Sequence, residues 1–159
     1  QMLEEADDIL EQCDIDLVVD NVGFLDLPQF MTSTRCDFGG MFSDFWVQFN
    51  ERACASRTGE RVVTIYVVDE IQGAGGCAYP GTDWVIVPNE SDGSTVVQEI
   101  AHLADIWPHS DDPDNVMTHE DGGTRDQLTR GQCCLIRTSR FTSRAREVVI
   151  ERFPTAVRG

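Results

Sequence analysis

The segment RVVTIYVVDEI, residues 61–71, places the strongest constraint on how this chain can fold. It is rich in β-branched residues and has a nearly continuous run of apolar side chains, a composition that is typical of β-strands. A strand with one solvated face alternates polar and apolar residues, whereas this segment shows almost no alternation. We therefore predict a strand that lies in the centre of a sheet.

Shorter patterns predict further elements around this strand. Leu3, Ala6, Ile9 and Leu10 have helical spacing, which indicates an amphipathic helix over residues 2–13. Two more apolar segments favour strands: residues 15–24 and residues 83–89. Phe42, Phe45, Trp46 and Phe49 share one helical face, and we interpret them as core residues.

The C-terminal third of the chain carries two more helix predictions. Thr129 is followed three residues later by Gln132, which is the spacing of a capping box, and a helix with Cys133, Leu135 and Ile136 is expected after it. The segment SRAREVVIERF, residues 143–153, is predicted to be helical. A strand is the alternative, because Val148, Val149 and Ile150 are β-branched.

Charge and length exclude several classes of function. The 159 residues suit a single domain with its own core, and no apolar run is long enough to span a membrane. The net charge is -16, and all 12 basic residues are arginine. Such a surface repels phosphates, so neither nucleic acid nor an anionic membrane is an expected partner. Adaptation to high salt and the codon bias of a GC-rich genome explain this composition equally well.

Six cysteines without a CxxC spacing indicate disulfides and therefore an extracellular, secreted protein. Cys133 and Cys134 are adjacent, so each is expected to need a distant partner. No charged-then-apolar leader follows Gln1, and we expect any signal segment to have been removed or never to have been present.

The stretch VVQEIAHLADIWPHSDDPDNVM, residues 96–117, carries the candidate chemistry. Ser94 or Thr95 can cap a helix that extends to Ile106. On such a helix, Gln98 and His102 are four residues apart and share a face, with Glu99 beside them. Two ligands at this spacing and an adjacent glutamate are the arrangement with which a zinc peptidase holds its metal and activates water.

This stretch resembles the metzincin signature HExxHxxGxxH followed by a Met-turn, and the resemblance extends from about residue 62 to residue 141. It implies an α+β fold with a mixed twisted sheet, an active-site helix, a Met-turn and a C-terminal helix. Residues 1–159 would form one catalytic domain, with an upper part at about 1–109 and a lower part at about 110–159. The implied cofactor is Zn²⁺.

The resemblance assigns roles to individual residues. Glu99 matches the general base, His102 the second zinc ligand and Met117 the Met-turn methionine. Gln98 stands in place of the first histidine ligand. His109 lies one residue later than the third ligand, and Asp105 replaces the turn glycine, which aspartate can do because it tolerates left-handed geometry.

His119 occupies a position where some metzincins have a tyrosine that reaches the metal, so it is a further candidate ligand. All three histidines of the chain therefore fall where this fold approaches zinc. Taken one at a time, each residue also has a structural interpretation: Gln98 in a capping box with Thr95, Glu99 as a solvated acid of the helix, His102 bonded to a carbonyl in the core, and the other two histidines exposed.

Two hypotheses of function follow. The first is a zinc endopeptidase that cleaves peptide or protein substrates, with Glu99 as the base and activity weakened at Gln98, because an amide oxygen is a weak zinc donor. The second is an inactive metzincin-like domain, natural or engineered, that binds peptides or a protein partner. In either case the rim GGCAYPGTDW is expected to pair with an extended peptide. A structural or storage protein without a site is the third alternative.

Overall fold

The computed structural model of the chain describes residues 1–24, 32–33, 36, 44–56, 62–119, 122–142 and 147–152. Within these residues four helices and seven strands follow one another. Their order is α1 Met2–Glu11, β1 Val19–Phe24, β2 Thr32–Ser33, α2 Asp44–Ser56, β3 Val62–Val68, β4 Glu70–Ile71, β5 Cys77–Ala78, β6 Trp84–Pro88, α3 Gly93–Leu103, α4 Arg130–Thr138 and β7 Glu147–Arg152.

Five strands form one mixed sheet in the order β1-β7-β3-β6-β5, and β2 pairs with β4 in a separate two-stranded sheet. Strand β3 is parallel to both of its neighbours, whereas β5 is antiparallel to β6 and forms one edge of the sheet. The predicted central strand is confirmed for residues 62–68, whereas residues 70–71 form β4 in the two-stranded sheet. The chain has the predicted α+β fold class.

The two faces of β3 belong to two separate cores. Val63, Ile65 and Val67 pack in the larger cluster with residues of α1, α3 and α4. Tyr66 and Val68 pack on the opposite face in a smaller cluster that contains Phe49 of α2. The hydroxyl of Tyr66 donates to the carbonyl of Phe49 at 2.7 Å. Burial on both faces explains why the sequence of this strand does not alternate.

The helix predicted for residues 143–153 is wrong, and the strand alternative is the one that forms. Strand β7 lies between β1 and β3 and pairs in parallel with both. Its backbone thus finds ladder partners on two sides, and these long-range pairings outweigh local helix preference. Residues 147–152, placed in the lower part by the resemblance, therefore lie in the main sheet.

The other predicted elements form with small shifts in their bounds. Helix α1 and the Thr129–Gln132 capping box of α4 are confirmed. Strand β1 covers only the second half of residues 15–24. Phe49 is buried as predicted, whereas Phe42 and the side chains of Phe45 and Trp46 lie outside the described part of the chain.

Two disulfides form among the described residues, between Cys13 and Cys133 and between Cys36 and Cys77. The first joins the end of α1 to α4, and the second ties β5 to a distant part of the chain. The expected distant partner is found for Cys133 but not for Cys134, which is free and exposed, as is Cys54. None of the described helices has the length and apolarity that crossing a membrane requires.

Candidate functional site

Helix α3 carries the central residues of the site, and its start is fixed by Asp92. The Asp92 carboxylate accepts hydrogen bonds from the Thr95 amide at 2.9 Å and from the hydroxyls of Ser94 and Thr95 at 2.8 Å each. Asp92 is therefore the N-cap, and the predicted cap at Ser94 or Thr95 is wrong, as is the capping box of Thr95 with Gln98. The helix ends at Leu103, three residues before the predicted end.

The cap also determines the protonation of Asp92. Burial raises the pKa of this carboxyl, but the hydrogen bonds from Thr95 and Ser94 and the charge of Arg125 outweigh burial. The pKa of Asp92 therefore lies below its ordinary value, and the cap is ionised at neutral pH.

Gln98, Glu99 and His102 are all buried and line one cleft of about 470 Å³. The opposite rim is the segment 73–78, which includes edge strand β5. A Cβ atom at Gly76 would lie 2.7 Å from Oε1 of Glu99, so the Glu99 side chain keeps its present position because residue 76 is glycine. The helix therefore forms one wall of the cleft and the edge of the sheet forms the other.

The chain turns directly after α3 and brings the second histidine back to the cleft. Asp105 adopts φ 64°, the left-handed geometry expected where the metzincin signature has glycine. The Ile106 carbonyl beyond this turn lies 2.9 Å from Nδ1 of His102. A carbonyl oxygen only accepts hydrogen bonds, so Nδ1 of His102 carries the proton and donates, and Nε2 of the neutral ring is unprotonated.

The three histidines lie next to one another. Ring centroids of His102 and His109 are 5.2 Å apart, and those of His109 and His119 are 3.6 Å apart. Trp107 stacks on the other side of His102 at 4.9 Å. Burial and the charge of His119 lower the pKa of both His102 and His109, so the imidazoles favour their neutral forms.

Met117 lies in a turn and has no exposed surface, as a Met-turn methionine is expected to. Its amide donates to Oδ1 of Asn115 at 3.0 Å. The side-chain amides of Asn115 and Gln132 exchange two hydrogen bonds of 3.0 Å, and Gln132 belongs to the capping box of α4. The turn is thereby fixed to the C-terminal helix.

Arg125 is the site residue that the sequence analysis missed. Its Nη2 donates to Oε1 of Gln98 at 2.7 Å, and it lines the same cleft. Its backbone adopts φ 53°, which is uncommon for a residue other than glycine and is concentrated at functional sites. The one sequence signal was an arginine two residues after a pair of glycines in an otherwise acidic loop.

The spacing of these side chains decides whether they suit the zinc ion that the resemblance implies. Two imidazoles on one tetrahedral ion, with Zn–N near 2.0 Å, have ring centroids roughly 5 Å apart. His102 and His109 meet this spacing, and His102 also has the carbonyl partner that zinc-bound histidines use. The rings of His109 and His119 lie too close together for two ligands of one such ion.

Gln98 is the remaining candidate zinc ligand of the signature. Its oxygen already accepts from Arg125, whose positive charge opposes a cation at that point. No group of three or more His, Cys, Asp or Glu side chains in the described ranges is arranged to hold a metal ion. As placed, these residues do not form a complete zinc-ligand set, and zinc remains a prediction for this chain.

No family model, curated protein or solved structure matches the chain. The assignments to this site therefore rest on its own geometry and on the resemblance carried by residues 96–117.

Glu99 is the titratable group that the fold perturbs most clearly. Burial raises its pKa from 4.5 to about 8, against an opposing effect of Arg125. The carboxyl is therefore mostly protonated at pH 7, and it does not neutralise the Arg125 charge beside it. A general base must be ionised to accept a proton, so Glu99 would act as one only where a neighbouring cation lowered its pKa.

This pKa gives a prediction about stability. The folded chain holds the Glu99 proton between pH 4.5 and about 8, where the unfolded chain has lost it, so this residue destabilises the fold increasingly as pH rises. We expect Glu99→Gln to gain roughly 2 kcal/mol or more in unfolding free energy relative to the parent between pH 5 and pH 9. Urea unfolding with chelator present measures the difference. Glu90→Gln, which changes an exposed carboxylate, is the control. If the unfolding free energies of Glu99→Gln and the parent ran parallel as pH changes, the prediction would be contradicted.

Proposed function

We propose that this chain is a metzincin-like domain that binds extended peptides in the cleft between β5 and α3, and that it does not hydrolyse them. The observation that carries the proposal is the position of β5, an edge strand that forms the rim opposite Gln98, Glu99 and His102. An extended peptide can add to a sheet edge through its main chain while alternate side chains enter the adjacent cleft.

The Gln98–Arg125 pair favours binding over hydrolysis. A zinc endopeptidase needs a ligand at residue 98 and an ionised glutamate at residue 99. In this chain residue 98 is a glutamine whose oxygen accepts a hydrogen bond from the Arg125 guanidinium, so a positive charge stands where the first ligand would meet the metal. The zinc endopeptidase remains the alternative prediction for the same cleft.

An extracellular location is part of the proposal. The two disulfides, Cys13–Cys133 and Cys36–Cys77, are of the kind that forms and persists in an oxidising compartment. The second of them ends in β5, so oxidation also fixes the rim on which we place the peptide.

Trp107 provides a direct test of peptide binding. It is 40% exposed, stacks on His102 and lines the cleft, so a bound peptide would cover it. Buried aromatic anchors often dominate binding energy, and we expect Trp107→Ala to weaken peptide binding about tenfold. Affinity is measured by titrating randomised, N-acetylated hexapeptide pools while following amide NMR signals.

The control for Trp107 is Phe24→Ala, which removes an aromatic that is 72% exposed on β1 at the opposite edge of the sheet. This variant should bind as the parent does. Peptide-induced shifts should appear at residues 73–78 and 98–102. Shifts confined to other regions, or equal effects of the two substitutions, would contradict the placement of the peptide.

A further inference from the structure

We propose that Arg125 and Gln98 form a carboxylate-binding subsite in this cleft, so that the peptides it binds carry a carboxylate at that point. The carboxylate comes from the C-terminus of the peptide or from an Asp or Glu side chain. This inference rests on the proposed peptide binding and names the chemical group that the cleft selects.

The loop around Arg125 is built to hold the guanidinium in the cleft. On one side, the Thr124 amide donates to the Asp114 carboxylate at 3.0 Å. On the other, the Gln127 amide donates to the Asp114 carbonyl at 2.9 Å. Gly123 packs so tightly that a Cβ atom would lie 2.0 Å from the Pro113 carbonyl oxygen. Both flanks are thus fixed to one segment, and Arg125 between them is kept in its uncommon backbone geometry.

The guanidinium has fewer partners than its burial calls for. Its one hydrogen bond to a described residue goes to the neutral amide of Gln98, and its Nε is buried without a partner among the described residues. None of the described carboxylates forms an ion pair with it. An unpaired buried donor costs about 1–3 kcal/mol, and a partly buried cation normally has an anionic partner. The ionised Asp92 acts on this charge only without an ion pair, and an anion that enters the cleft would supply the guanidinium with a direct partner.

Gln98 adds to the preference for an anion. Because its Oε1 accepts from Arg125, its NH₂ group is the part of the amide that remains to donate to a ligand. A planar guanidinium presents parallel N–H donors that match the two oxygens of a carboxylate. Arginine and glutamine together thus offer donors from two directions to one carboxylate.

The surrounding charge makes such a subsite selective. The chain carries a net charge of -16, so most of its surface repels anions, and the guanidinium in the cleft is a local exception. A peptide carboxylate is therefore attracted at one point and repelled elsewhere, which fixes the register of the peptide along β5.

Three N-acetylated hexapeptide pools test the inference. The first two lack Asp and Glu and differ only in ending with a free carboxylate or an amide. The third ends with an amide and has a glutamate fixed in the middle. Each pool is titrated against the parent protein, Arg125→Asn and Arg137→Asn. Asparagine is chosen because it accepts left-handed geometry, so the loop should keep its conformation. Arg137 is the matched control, since its ion pair with Asp14 lies outside the cleft.

We expect the parent to bind one carboxylate-bearing pool at least tenfold more tightly than the amide pool that lacks acids. If that is the first pool, the ligand group is the C-terminus, and if it is the third, the group is a side chain. Arg125→Asn should remove the preference, so that the three pools bind with similar affinity, whereas Arg137→Asn should retain the preference. Arg125→Lys keeps the positive charge but loses the parallel N–H donors of the guanidinium, so it should retain only part of the preference.

Two failures are distinguishable. Equal binding of all three pools by the parent, or a preference that survives Arg125→Asn, would overturn the carboxylate subsite and leave peptide binding in place. Absence of binding by every pool would overturn the proposed function, and the subsite with it.

Discussion

Replacing Met117 by aspartate is expected to lower the free energy of unfolding by at least about 4 kcal/mol, close to the whole stability of many domains of this size. Met117 has no exposed surface and belongs to the larger core. The change removes a buried apolar side chain and introduces a carboxylate into an apolar core. The loss should follow from the fold itself, so it is expected with or without added metal.

Two controls separate this effect from a general sensitivity to substitution. Met117→Leu keeps volume and apolarity and should cost less than about 1.5 kcal/mol. Leu135→Asp introduces the same charge at a side chain that is 49% exposed on α4, and its effect should be small. Urea unfolding of the three variants measures their losses of unfolding free energy, which should be largest for Met117→Asp. A Met117→Asp protein as stable as the parent would show that Met117 does not lie in a Met-turn under the site.

Local sequence patterns predicted those elements whose cause is local. Strand β3 is apolar at every position except Thr64 because both of its faces are buried, and that property is visible in its sequence. Asp105 tolerates left-handed geometry, so the turn could be expected at its place. The approach of His102, His109 and His119 followed from the resemblance, since spacing alone does not specify how a chain returns after a helix.

The elements that sequence patterns missed depend on distant partners. Strand β7 forms because β1 and β3 pair with it, and neither is near it in the chain. Asp92 prevails over Ser94 and Thr95 as the cap because one carboxylate accepts three hydrogen bonds, including both hydroxyls. Arg125 reaches Gln98 across 27 residues from a loop with no periodic pattern, so no motif marked it.

The contact between Arg125 and Gln98 changes what is expected of Gln98→His, the substitution that would restore the first histidine of the metzincin signature. Gln98→His would place imidazoles at residues 98 and 102 on one face of α3, the pairing that zinc sites on helices use. Next to that face, however, the guanidinium of Arg125 would repel the metal. We therefore expect Gln98→His alone to raise zinc affinity, and Gln98→His combined with Arg125→Asn to raise it further.

The double variant is expected to bind zinc at least a hundredfold more tightly than the parent, about 2.7 kcal/mol, with at least tenfold from the histidine itself. The basis is the 5.2 Å separation of His102 and His109, which suits two ligands of one tetrahedral ion, and a third imidazole from residue 98 would complete the set. Zinc titration against a competing chelator, on the parent, both single variants and the double variant, separates the two contributions.

Peptidase activity provides the second readout of the double variant. If residues 98, 102 and 109 converge, casein hydrolysis should appear in the double variant and disappear when Glu99→Gln is added, because a bound cation would lower the pKa of Glu99 and allow it to act as a base. Equal zinc affinity of the parent and the double variant would mean that these three positions do not converge. The metal-site interpretation would then fail, whereas the carboxylate subsite, which depends on Arg125 and not on the histidines, would be unaffected.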